Sequence, residues 1–258
     1  MEKKYFFFDI DGTLTDRSTH KIVPSAQAAL DKLQEAGHFV AIATGRAHYK
    51  ARPFMESVGL HNMVCCGGGG LVIDDKLIQN VPLDLEKAKA VAKQADELGY
   101  GILFQVDDSI KVVTKDHKFQ DQVGDRQEPT EYVYEPDLDI DKMDMIYKMY
   151  ISIPESEEYK LTLMNTLGSL RFYKEYQMFQ YDEKHQGILD IMDHLHGDLK
   201  DVVVFGDDTN DLVMFDSQWT SIAMGNACDE LKAAADIVTD ANVDDGIYNI
   251  CKKQGWIL

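Results

Sequence analysis

Short, wholly apolar runs alternate with helical stretches at both ends of this chain, and that rhythm constrains its fold more than any other feature. Tyr5–Phe8 and Phe39–Ala43 read as strands buried on both faces, with a third over residues 64–66. Between them, residues 25–36 place Ala26, Ala29, Leu30 and Leu33 on one helical face, ended by Gly37. A second helix is expected over residues 47–58, halted by Gly59, and residues 71–78 have the pattern of a hairpin turning at Asp74-Asp75. The rhythm returns late in the chain, with a helix over 185–196, a strand over 202–205, a short helix over 211–216 and a strand over 221–224. Repeated strand–helix units predict an α/β fold, a doubly wound, Rossmann-like parallel sheet covered by helices on both faces.

The middle of the chain has a different texture. A helical run over 85–98 is followed by strand-like runs at 102–106, Lys111–Thr114, 145–153 and 170–173, with a further helical pattern over 155–167. These predict an α+β domain at residues 82–180, inserted into a core made of residues 1–81 and 181–258.

Composition narrows the function. The 258 residues carry a net charge of −19, which opposes nucleic acid and anionic membrane surfaces, since both reward clustered Lys and Arg. Cys65, Cys66, Cys228 and Cys251 form no CxxC pair, so neither a disulfide framework nor a zinc site is expected. No run approaches the roughly 18 uncharged apolar residues of a membrane span. The expectation is a soluble cytoplasmic protein, monomeric or a small homo-oligomer, whose partner is a small molecule.

Ligands of open parallel sheets gather at the carboxyl ends of strands. Three apolar strands here run into polar motifs: Asp9-Ile10-Asp11-Gly12-Thr13, Thr44-Gly45-Arg46, and Gly206-Asp207-Asp208-Thr209-Asn210-Asp211. Asp9, Asp11 and Asp207 would bring hard oxygen ligands to one point, which suits Mg²⁺. Crowded carboxylates without a cation would force one to take up a proton, so the metal would let Asp9 act as an ionised nucleophile. The Thr44 hydroxyl and the Gly45 amide add donors for phosphate, and Lys184 adds positive charge where phosphoryl transfer develops negative charge.

With these motifs the chain resembles the haloacid dehalogenase-like superfamily, specifically the Cof-type phosphatases, over nearly its whole length. Asp9–Leu14, Thr44–Arg46, Lys184, Gly206–Asp211 and Met224–Ala227 carry the resemblance, in the family's order and spacing. It implies a core with a large inserted cap that sets specificity, and Mg²⁺-dependent hydrolysis of a small phosphorylated metabolite through an aspartyl-phosphate on Asp9. Asp11 is implied as general acid and then base, and Asp9, Asp11 and Asp207 as the metal set. Ile10, Thr44, Gly45, Lys184 and Asn210 are implied to hold phosphate, with Asp211, Arg46 and Asn226 in support. Phosphomutase chemistry on the same scaffold, or a non-catalytic phosphometabolite-binding protein, are the alternatives. One departure stands out. The family's Asn-Gly-Ala stretch after the third strand is replaced by Cys65-Cys66 and a four-glycine run, Gly67 to Gly70, which reads as a tight hairpin with close backbone packing.

Overall fold

Phe6, Phe7 and Phe8 are consecutive and fully buried, so the strand that carries them needs cover on both faces. The computed structural model describes residues 2–258. Its first segment contains β1 (Tyr5–Phe8), α1 (Pro24–Glu35), β2 (Phe39–Ala43), α2 (His48–Ser57), β3 (Met63–Cys65), β4 (Gly70–Ile73) and β5 (Lys76–Asn80). The middle segment contains α3 (Leu85–Glu97), β6 (Ile102–Gln105), β7 (Lys111–Thr114), α4 (Lys118–Val123) and β8 (Glu131–Tyr134), then β9 (Lys148–Ile151), β10 (Ser169–Tyr173) and β11 (Tyr176–Gln180). The last segment adds α5 (Lys184–Leu195), β12 (Val202–Gly206), β13 (Thr220–Ala223), α6 (Asp229–Ala234), β14 (Ile237–Val238) and α7 (Gly246–Lys253). Two units result: one runs to Asn80 and resumes at Glu183, and the other spans Val81–Asp182.

The core unit is built on an eight-stranded sheet in the order β14-β13-β12-β1-β2-β3-β4-β5. It is parallel from β14 to β3 and antiparallel from β3 to β5. Phe7 is level with Ala41 and Val204 in the neighbouring strands. Alternation sends Phe6 and Phe8 to the face covered by α1, α2 and α7, where Leu30, Met55 and Ile250 meet them in one cluster. Phe7 points to the opposite face, against Ile188, Ile191 and Met192 of α5. Strand order reverses between β1 and β12, the kind of switch point at whose carboxyl ends open parallel sheets place a ligand crevice.

The inserted unit has its own six-stranded sheet, ordered β10-β11-β9-β6-β7-β8, antiparallel except where β7 runs parallel to β8. One face packs Ile102, Phe104, Met149, Ile151 and Phe179 under Ala88, Val91, Ala92 and Ala95 of α3. The other gathers Leu103, Val112, Tyr150 and Tyr176 around Phe119 of α4. The helix expected over 155–167 is not formed. Two 3-10 turns take its place, at Glu155–Lys160 and Met164–Thr166, and neither contains a buried residue. The first half of the run offers only Tyr159, which is exposed, while Leu161, Leu163, Met164 and Leu167 crowd its second half and pack on the core from within and beside these turns. The short helix expected over 211–216 is likewise a 3-10 turn, Thr209–Met214, which starts two residues earlier because Asp208 and Asp211 form a reciprocal capping box.

Candidate active site

Each acidic motif stands at a strand end by direct consequence of the core pattern. Asp9 follows β1, and its backbone N–H donates to the Phe205 carbonyl at 3.0 Å, which locks the ends of β1 and β12 together. Asp207 follows β12. The loop after Asp9 turns at Gly12 with φ of +98°. A Cβ there would lie 2.1 Å from Asp207 Oδ2, so only glycine allows this approach. The Thr13 hydroxyl then donates to Asp207 Oδ1 at 2.9 Å.

Lys184, the first residue of α5, is 1% exposed rather than solvated. Its ammonium donates to Asp9 Oδ1 at 3.1 Å and to Asp211 Oδ1 at 2.8 Å. The other oxygen of Asp211 accepts the backbone N–H groups of Asp207 and Asp208, at 3.0 and 3.2 Å. Asp9 Oδ2 accepts the Asp11 N–H at 3.0 Å. Carboxylate oxygens of Asp9, Asp207 and Asp211 come within 4.8 Å of one another, and all three residues are buried.

The electrostatics follow from that crowding. Burial, reinforced by the Asp211 charge and opposed by Lys184, pushes Asp9 up to about 7. Burial also raises Asp207 to about 6, although the Thr13 hydroxyl and the Arg17 guanidinium pull the other way. For Lys184, burial alone would lower the pKa, but the Asp211 and Asp9 carboxylates outweigh it and hold the ammonium above the ordinary lysine value. Three buried carboxylates therefore face more negative charge than Lys184 and the half-exposed Arg17 balance. Either a proton or a hard cation resolves the excess, and an all-oxygen donor set fits a divalent ion such as Mg²⁺.

The remaining expected residues fall into two groups. Thr44 is buried after β2, and its hydroxyl accepts the Arg46 N–H at 3.2 Å. Gly45 and Asn210 are partly buried, and the Ile10 side chain lies in the core, so only its main chain is available to a ligand. Asn226 donates to the Gly12 carbonyl at 2.8 Å and fixes the Asp9 loop from behind. Asp11 stands apart from the other acidic residues. Its side chain is half exposed and forked by Arg46 at 2.6 and 3.1 Å, while the Asp211 carboxylate lies within the buried cluster.

Two participants escape motif reading. Arg17 reaches Asp207 Oδ2 at 2.6 Å and Asp208 Oδ2 at 2.8 Å, yet nothing distinguishes it in sequence from a surface arginine. The Asn242 side chain donates to the Thr15 carbonyl, 227 residues away, and its N–H donates to Asn226 Oδ1. The glycine run has a clearer signal. Gly68, at φ +109°, would place a Cβ 2.2 Å from the Glu183 carbonyl, so backbone packs on backbone just before Lys184. Among the described residues no helix is long and apolar enough to cross a membrane.

Comparison with known proteins agrees in family. The sequence profile described as haloacid dehalogenase-like hydrolase matches residues 6–250. A candidate phosphatase of Bacillus subtilis, YkrA, is 31% identical over 260 residues, covering 100% of both chains. The pyridoxal phosphate phosphatase YbhA of Escherichia coli is 25% identical over 96% of this chain and 97% of its own. Among solved structures, the subclass IIB sugar phosphatase BT4131 superposes with a TM-score of 0.77 at 27% identity, covering 99% of this chain and 100% of that one.

Proposed function

The chain belongs to the haloacid dehalogenase-like hydrolase family, and from that premise we propose that it is a Mg²⁺-dependent phosphatase of small phosphorylated metabolites, with Asp9 as nucleophile. One observation carries the reading: buried Lys184 bridges Asp9 and Asp211 beside Asp207, at the crevice between β1 and β12. A purely structural core has no use for three crowded carboxylates.

Mg²⁺ held by Asp9, Asp11 and Asp207, with Asp211 in support, would keep Asp9 ionised and offset charge on the phosphate. Asp9 attacks phosphorus through a carboxylate oxygen and forms an aspartyl-phosphate as the ester oxygen departs. Lys184 keeps Asp9 aligned and places its positive charge beside the transferring group. Thr44, Gly45, Asn210 and the main chain at Ile10 supply neutral donors, which hold phosphate without adding carboxylate charge. Asp11, two residues from the nucleophile, hands a proton to the leaving oxygen once the Arg46 fork releases it, and then takes one from the attacking water. Asn226 and Asp211 position this loop. Choice among substrates is assigned to residues 81–182, because the core motifs account for phosphate and nucleophile and name nothing beyond them.

Release of phosphate from a generic aryl phosphate, with and without Mg²⁺, tests the chemistry, and a panel of phosphorylated metabolites then finds the substrate. Tight binding of phosphate esters with no turnover over hours would contradict it.

A further inference from the structure

The departure at the end of β3 places two thiols where they converge. Cys65 is fully buried and Cys66 partly exposed, and the Cys66 thiol lies 4.0 Å from the Cys65 sulfur. Both sulfurs rest over Gly70. A Cβ on that glycine would come within 2.5 Å of Cys65 Sγ and 3.2 Å of Cys66 Sγ. Cys66 also adopts φ of +52°, a left-handed conformation that non-glycine residues rarely take and that often marks a working site.

We propose that Cys65 and Cys66 form an oxidative modification site, in which a hydroperoxide such as hydrogen peroxide converts the pair into a reversible disulfide between neighbouring residues. The partly exposed Cys66, as its thiolate, attacks the peroxide, the O–O bond breaks, and a sulfenic acid forms on Cys66 with loss of hydroxide. The Cys65 thiol then displaces that oxygen as water. In balance, two thiols and one hydrogen peroxide yield one disulfide and two waters. Adjacent Cα atoms sit about 3.8 Å apart across a trans peptide, closer than the roughly 4.4 Å at which disulfides usually begin. The bond therefore forms under strain and is readily reduced, as in a switch rather than a structural staple.

The consequence reaches the phosphate donors through the backbone. The Cys66 N–H donates to the Arg46 carbonyl at 2.7 Å, and the Gly67 N–H to the Thr44 carbonyl at 3.3 Å. On the other side the Gly67 carbonyl accepts the Glu183 N–H at 2.6 Å, next to Lys184. Drawing the two sulfurs together reorients the peptide between them and loosens this clamp. Displacement of catalytic groups by about 1 Å costs on the order of a hundredfold in rate, so even partial loosening lowers turnover by about tenfold or more.

The test treats the intact protein with hydrogen peroxide, alkylates the remaining thiols under denaturing conditions and maps peptides by mass spectrometry. The expected peptide carries Cys65 and Cys66 unalkylated and two hydrogens lighter, and dithiothreitol restores alkylation at both. Amide hydrogen exchange at Cys66 and Gly67 rises on oxidation, while phosphate release falls about tenfold or more and recovers with the thiol. In Cys65→Ser, Cys66 stops at a sulfenic acid that a dimedone probe labels, and in Cys66→Ser, Cys65 stays alkylatable. Over-oxidation of Cys66 without a disulfide, or a disulfide with unchanged amide exchange, overturns the proposal. The rate measurement rests on the phosphatase reading; the mapping and exchange measurements do not, so a protein without turnover still decides the site.

Discussion

In the core unit, burial pushes Asp9 up to about 7 and Asp207 up to about 6. In the inserted unit, Lys142 holds exposed Asp139 below the ordinary carboxylate value, and Lys160 with Tyr100 does the same for Glu157. The ionising group is a carboxyl in every case and the shifts are opposite. On the surface each carboxylate finds a cation in water, which costs little and gains little. In the crevice three carboxylates are held together against their own repulsion by the backbone N–H groups around Asp211, by Thr13 and by Lys184. Such an arrangement is costly in an empty protein and useful only when a cation and a phosphate arrive.

The sharpest way to break this contrast is to neutralise one carboxylate in each unit. Asp9→Asn is expected to lower phosphate release by about a thousandfold or more. Asp141→Asn, at an exposed pair with Lys93, should change it by less than about twofold. Steady-state kinetics on one aryl phosphate compares the two directly.

Next in size is the cation side. Lys184→Met leaves Asp9 and Asp211 buried without their common partner and should cost about 3–5 kcal/mol in urea unfolding. Lys93→Met should leave the unfolding midpoint unchanged within error.

The pH dependence sharpens the comparison further. Asp9 and Asp207 bind protons more tightly folded than unfolded, so their contribution to stability is full below the unfolded value of 3.8 and is lost as pH rises through about 6 and 7. Asp139 and Glu157 act in the opposite sense: their contribution is present at neutral pH and lost on acidification. Metal-free protein should therefore lose melting temperature between pH 5 and pH 8 through the core pair, and added Mg²⁺ should raise it more at pH 8 than at pH 5. Thermal scans at both pH values check this, and an equal Mg²⁺ effect at both would break it.

The smallest effect expected is at Arg17, whose exposed guanidinium competes for Asp207. Arg17→Ala should tighten Mg²⁺ binding by about two- to fivefold, measured by calorimetry.

The same contrast explains what sequence could reveal. Motifs in the core were legible because each directly follows a wholly apolar strand, and parallel sheets expose their carboxyl ends at one edge. Asp9, Thr44 and Asp207 could be placed that way. The burial of Lys184 could not, since a lysine opening a helix carries no mark of what lies beneath it. Arg17 and Asn242 depend on contacts between segments about 200 residues apart, for which a single sequence has no signal. In the inserted unit the strand-like runs of β6, β7, β9 and β10 were readable, whereas β8 was not. The run over 155–167 was not, because its charges suit a helix surface while its core-facing residues, Leu161, Leu163, Met164 and Leu167, all lie in its second half.

The central claim is that the Asp9 carboxylate itself takes the phosphoryl group. Brief exposure of Mg²⁺-loaded protein to a radiolabelled phosphate ester, acid quenching and peptide mapping would test it most directly. The account predicts label on the peptide containing Asp9, removed by hydroxylamine and absent from Asp9→Asn. Phosphate released by Asp9→Asn at the unmodified rate, with no label on that peptide in either protein, would contradict it.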